Sequence, residues 1–230
     1  LTGIWLDKEQ PSSNVGDAGQ AAGSGPVRGT RRLEEMERLR RDFSTITLVM
    51  IPVAIAINIA IGQLVYTLKV PLYLDSIGTI FVAAVAGPLA GLVTGALTNL
   101  IWGLSGINSF YTAFWITGAA IGLLAGLFSR FGWFKVWWRA IIAGVVTGLI
   151  AALISAPILT YVNGGVTGSG TDVITAVFRN AGLGILPSAF AQGVSSDPLD
   201  KAISFFIVWG VIRALPLRFL DRFSRAEDIR

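Results

Sequence analysis

Polar residues in this chain fall in short clusters between long apolar blocks, and the blocks lack the polar stripe of a soluble amphipathic helix. From residue 44 onward the blocks cover 44–66, 75–86, 88–104, 109–128, 136–162 and 199–215. Several approach or exceed the roughly 18–20 residues that cross a hydrocarbon core as helix. The pattern predicts an all-α integral membrane protein with six transmembrane helices. The stretch 73–104, YLDSIGTIFVAAVAGPLAGLVTGALTNLIWGL, is broken at Gly87-Pro88. Proline lacks an N–H and disfavours helix for the residue before it, so this stretch predicts a helical hairpin rather than one over-long span. Its first arm is short for a bilayer and must be tilted or sheltered by its neighbours.

Charge orients the blocks. Arg31, Arg32, Arg38, Arg40 and Arg41 precede the first block. Arg130, Lys135 and Arg139 lie between the fourth and fifth. Arg213, Arg218, Arg222, Arg225 and Arg230 are at or after the end of the sixth. The opposite side receives only Lys69, Arg179 and Lys201. The positive-inside rule then places both N- and C-termini in the cytoplasm, which needs an even number of spans. Trp133, Trp137 and Trp138 fall at the inner interface. The net charge of +4 is thus a topological pattern and does not point to nucleic acid.

The expected organisation is a cytoplasmic N-terminal region over 1–43, a six-helix membrane domain over 44–220 with an outer loop over 163–198, and a cytoplasmic tail over 221–230. Residues 1–30 are rich in Gly, Ser, Ala, Gln and Asp without a period and read as a disordered tail. In 31–43, Leu33, Met36, Leu39 and Phe43 recur at helical spacing, which fits either an amphipathic surface helix or a solvated lead-in. The outer loop opens with NGGVTGSG. Its part 171–181 looks helical, with Val173, Ile174, Val177 and Phe178 on one side. A loop this long suits a lid over the outer face or a passive interfacial helix.

Composition removes whole classes of chemistry. The chain is 53% hydrophobic and 14% charged, against about a quarter charged in soluble domains. It has no cysteine and no histidine, which excludes disulfides, thiol catalysis and imidazole relays and removes the usual zinc ligands. It has no phosphate-binding Walker loop. No carboxylate pair reads as buried within a span, as a proton-driven carrier would show, and no inverted pair of halves is visible. The expectation is a non-enzymatic protein without cofactor or metal, dependent on a partner for energy.

Polar residues nevertheless gather on the outer side. Asp75 opens the second block, with Thr79 one turn on. Asn99 and Trp102 close the third, Asn108 and Tyr111 open the fourth, and Asn163 ends the fifth. Arg179 and Asn180 lie in the outer loop, and Asp197, Asp200 and Lys201 stand at the start of the sixth. Ionisable residues at a membrane edge are costly and point to function, and several on one face suggest a pocket with aromatic walls. The structural alternatives are an Asp75–Lys201 ion pair and helix caps, since Asp197 and Asp200 suit a helix N-terminus. Small residues also repeat every fourth position, at Gly87/Gly91/Gly95, Gly118/Gly122/Gly126, Gly144/Gly148 and Ala56/Ala60. Such ridges are helix-packing seams in lipid, and the alanine pair could instead face another membrane protein.

Over residues 47–219 the chain resembles the substrate-binding (S) components of energy-coupling factor transporters. The resemblance is carried by six short spans, the hairpin YLDSIGT…GPLAGLVTGALTNLI and the closing SDPLDKAISFFIVWGVIRALP. It implies a prokaryotic plasma-membrane protein that binds a vitamin or related micronutrient from outside with high affinity. It also implies docking on a transmembrane coupling subunit driven by two cytoplasmic ATPases. The family often docks through an Ala-x-x-x-Ala ridge in the first span, which Ala56 and Ala60 match. The site residues it implies are Asp75, Thr79, Asn99, Asp200 and Lys201. Residue reading adds Trp102, Asn108, Tyr111, Asn163, Arg179 and Asn180. Two alternatives stand beside the importer subunit. One is a membrane-embedded sensing domain, which would need a signalling domain where about ten residues follow Leu220. The other is a stand-alone secondary carrier.

Overall fold

The computed structural model describes residues 42–223 and 226–229. The tail and most of the amphipathic stretch expected over 1–43 lie outside the described residues. Their regular elements are all helices: α1 Thr45–Thr67, α2 Ile77–Ala86, α3 Pro88–Leu104, α4 Trp115–Arg130, α5 Trp137–Asn163, α6 Asp172–Asn180, α7 Ile185–Ala214, α8 Leu217–Leu220 and α9 Ala226–Ile229, with 3-10 turns at Ser109–Phe114 and Trp133–Lys135.

Among the described residues three segments are long and apolar enough to cross a membrane: Thr45–Thr67, Ser109–Arg130 and Trp137–Asn163. The distribution of side chains agrees with a multi-pass membrane protein. Leu48, Val49, Val53 and Leu64 on α1 and Leu149 and Leu153 on α5 face outward, while Asn58, Thr79, Thr94, Thr98, Asp200 and Lys201 are buried. Water would favour the reverse arrangement.

α2 is the centre of the bundle. Ten residues cannot span a bilayer alone, but Ile80 and Val82 through Ala86 are fully buried, so α2 meets protein on every side. It stops at Gly87, whose φ of 115° is open to glycine and strained for other residues, and Pro88 then starts α3 at a position where a missing N–H costs nothing. Asn58 ties the hairpin to α1. Its amide nitrogen donates to the Thr79 and Thr98 hydroxyls at 2.8 and 3.1 Å, and its carbonyl oxygen accepts the Gly78 N–H at 2.7 Å.

Glycine seams set the closest approaches. A Cβ on Gly91 would lie 2.6 Å from the Gly122 carbonyl oxygen, and one on Gly118 would strike Gly95. The ridges of α3 and α4 therefore meet each other, backbone against backbone. Gly144 and Gly148 of α5 do the same against α7, where a Cβ on Gly144 would sit 2.6 Å from the Lys201 carbonyl oxygen and one on Gly148 2.5 Å from Pro198. The alanine pair differs, because Ala56 and Ala60 are both exposed on the outer face of α1.

The last long helix corrects the sequence reading. A sixth block over 199–215, preceded by an outer loop running to 198, placed the boundary at Pro198. Instead α7 begins at Ile185 and carries Pro198 in its interior, so most of the expected loop is α6 or the first turns of α7. Pro187 falls in the first turn, where proline is tolerated. Pro198 packs against the Gly148 gap of α5, which holds the helix together past the lost hydrogen bond. Asp197 and Asp200 consequently have no helix N-terminus to cap. Both are buried in mid-helix, a carboxylate pair the sequence reading did not expect.

Candidate functional site

One end of the bundle encloses a cavity of roughly 700 Å³, its open mouth included. Its walls come from the loop after α1 and the start of α2 (Tyr73, Asp75, Ser76, Thr79), the later part of α3 (Gly95, Thr98, Asn99), the turn and start of α4 (Phe110, Tyr111, Phe114, Thr117), the later part of α5 (Ala151, Ser155, Leu159), Thr167, and the first half of α7 (Gln192, Asp197, Lys201). The basic residues Arg130, Lys135 and Arg139 line a separate groove, with Asp228.

The floor of the cavity is an ionic cluster built on α7. The Lys201 ammonium donates to Asp200 Oδ2 at 2.5 Å, to Ser76 Oγ at 2.9 Å and to Asp75 Oδ1 at 3.2 Å. Asp200 Oδ1 accepts two backbone N–H groups from the facing loop, Tyr73 at 3.0 Å and Leu74 at 2.7 Å. Leu74 holds φ at 50°, a left-handed conformation that a branched apolar residue rarely adopts. Two charge-assisted hydrogen bonds from its own and the preceding N–H hold it there. Asp200 thus fixes the loop that presents Asp75.

A polar seam continues up the side. Tyr73 OH lies 3.0 Å from Thr171 Oγ1 and accepts from Gln192 Nε2 at 3.4 Å. Desolvation of the Tyr73 phenol pushes its pKa up, so it stays a neutral hydroxyl. Gln192 also donates to Ser196 at 2.7 Å, and Ser196 donates to Asp197 Oδ1 at 3.0 Å. The glycine-rich segment after α5 folds back here. Asp172 accepts the Thr167 and Gly168 N–H groups at 2.8 and 2.7 Å, and Lys69 donates to the Gly168 carbonyl.

The opposite wall is aromatic. Tyr111 stacks on Trp102 with ring centroids 3.7 Å apart, and Phe110 and Phe114 continue the surface. Trp102 Nε1 donates to Gln63 at 3.3 Å, and a Cβ on Gly62 would collide with the indole, so α1 leaves room for that ring. Asn99 Nδ2 donates to the Phe114 carbonyl at 3.0 Å, fastening α3 to the turn before α4.

Of the residues singled out by sequence, Asp75, Thr79, Asn99, Tyr111 and Lys201 line the cavity together. Asp75 and Lys201 also form the structural ion pair considered as an alternative, so one pair serves as both brace and wall. Trp102 and Asp200 stand immediately behind the wall, one backing Tyr111 and the other holding Lys201. Asn108 before the 3-10 turn, Asn163 at the end of α5, and the exposed Arg179 and Asn180 of α6 do not line it. Sequence reasoning missed Tyr73, Ser76, Thr117, Thr167 and Gln192, and weighed Asp197 both as part of the outer polar set and as a helix cap. Extending the helix back across Pro198 would have stacked Gln192, Ser196 and Asp200 along one face and Asp197 with Lys201 beside them, at i, i+4 spacing. No family model, curated protein or solved structure matches the chain, so its functional reading rests on the chemistry of this site.

Proposed function

We propose that this protein is the high-affinity binding subunit for a vitamin or related micronutrient in a prokaryotic plasma membrane, delivering its solute to an ATP-driven importer of the energy-coupling factor type. In this reading the six-span topology with cytoplasmic termini holds. α2 and α3 together act as a re-entrant-length hairpin sheltered by longer helices, and α7 is the sixth span. The observation that carries the reading is the cavity at one end, with an ionic floor, a polar seam and an aromatic wall, in a bundle whose basic clusters lie elsewhere. That combination suits a small solute held by a few placed polar groups against apolar walls. Ala56 and Ala60, exposed on α1, are the proposed docking ridge for the transmembrane coupling subunit, and two cytoplasmic ATPases supply the energy. Mass spectrometry of small molecules released from the purified protein, followed by isothermal titration against a vitamin panel, tests this. A clean release fraction and no binding to any member sink it.

A second reading draws on one specific observation, the buried mid-helix carboxylates Asp197 and Asp200. Such groups serve proton relays in secondary carriers. Uptake by this chain alone in liposomes, driven by an ion gradient, decides for the carrier; uptake only with coupling subunit and ATPases decides for the importer subunit.

A further inference from the structure

The hydrogen-bonding capacity of the cavity is spent unevenly. Lys201 is the only cation among the lining residues, and its three ammonium protons are taken by Asp75, Ser76 and Asp200. Both oxygens of Asp200 are occupied as well. Lys69 is turned away towards the Gly168 carbonyl and the Tyr66 ring.

Asp197 is left incomplete. It is 5% exposed and lines the cavity. One oxygen accepts from Ser196 at 3.0 Å, and the other has no donor. A second, independent unpaired polar group lies on α4. Thr117 is 7% exposed and lines the same cavity, and its hydroxyl has no hydrogen-bond partner. A buried hydroxyl without a partner is unfavourable, so a solute group that bonds Thr117 relieves that cost, while the second Asp197 oxygen offers a free acceptor on the cavity wall. The charges agree, for three carboxylates (Asp75, Asp197, Asp200) stand against one ammonium. The walls at Phe110, Tyr111 and Phe114 offer ring faces, which attract cations. Among the described residues no group of acidic side chains is arranged to hold a metal ion.

We infer, building on the solute-binding reading above, that the solute carries an organic cation or an N–H-rich nitrogen edge, such as an amidinium or an amino-substituted flat heterocycle. Its N–H edge docks on the open oxygen of Asp197, the hydroxyl of Thr117 across the same cavity takes a further hydrogen bond from the solute, and anionic solutes are refused.

Three ring-matched probes test it on the full-length purified protein: benzamidine (cationic), benzamide (neutral) and benzoate (anionic). Binding is read as a ligand-dependent rise in unfolding temperature over a concentration series. Benzamidine should bind roughly tenfold or more tighter than benzamide, as expected for a hydrogen bond to a charged partner, and benzoate should not bind. Asp197→Asn should abolish the preference, and Thr117→Ala should weaken benzamidine severalfold without lowering the unfolding temperature of the empty protein. Asp221→Asn, exposed and outside the cavity, should keep the preference. Benzoate or benzamide binding as well as benzamidine, or benzamidine binding unchanged in Thr117→Ala, overturns the charge assignment and leaves solute binding standing. No shift with any probe also overturns it. If mass spectrometry then finds no solute on the purified protein, the solute-binding reading falls too.

Discussion

Asp197 and Asp200 sit one helical turn apart on α7, and the structure predicts responses of very different size to losing them. In Asp200→Ala, the Tyr73 and Leu74 N–H groups lose their acceptor and Lys201 loses its shortest partner. Each orphaned buried donor costs about 1–3 kcal/mol, and breaking a buried ion pair costs about 3–5 kcal/mol. These terms overlap, because Lys201 keeps Asp75 and Ser76 and the loop can relax the left-handed strain at Leu74. A net loss of about 3–5 kcal/mol follows, which at roughly 2–4 °C per kcal/mol for a chain of this size lowers the unfolding temperature by roughly 6–20 °C. Asp197→Asn removes a carboxylate whose one hydrogen bond comes from Ser196, so its effect should stay within about 1 kcal/mol. The assay is thermal unfolding of detergent-solubilised protein followed by intrinsic tryptophan fluorescence. The reasoning is refuted if Asp200→Ala unfolds within about 2 °C of the parent, or if Asp197→Asn is equally damaging.

Other substitutions probe the frame. Asn58→Leu leaves the buried Gly78 N–H without its acceptor and should cost about 1–3 kcal/mol in the same unfolding assay. Gly122→Val drives a side chain into the Gly91 backbone and should cost at least 1–3 kcal/mol, visible as aggregation on size exclusion. Ala56→Leu with Ala60→Leu should change stability by less than about 0.5 kcal/mol, since both positions are exposed, yet under the proposed importer role should block co-purification with a coupling subunit.

The helical membrane character was legible because apolar runs and their charged flanks depend on local composition alone. The Gly87-Pro88 break was legible for the same reason, as both residues dictate their own backbone. The convergence of Asp75, Asn99 and Lys201 followed once helix ends were assigned to sides. What stayed hidden depended on tertiary support. Pro198 reads as a boundary in isolation and becomes an interior residue only because Gly148 gives it space. Gln192 and Thr117 look like ordinary polar insertions until α7 is extended and α4 is placed against α3. Arg179 and Asn180 were credited for lying in the outer loop, but α6 turns them to the exterior.

The glycine seams have a mechanical consequence. Where side chains interdigitate, helices can slide by exchanging rotamers. Where backbones touch directly, as in α3 against α4 and α5 against α7, that slack is absent. The cavity is therefore bounded by two tightly paired helix couples, and the segments 68–76 and 164–171 between them are joined to each other through Lys69, Tyr73 and Thr171. In the solute-binding reading, the shape that is recognised is then set by the paired backbones, and the contacts of Lys69 and Tyr73 with the 164–171 segment are the ones a solute entering from that side would have to part.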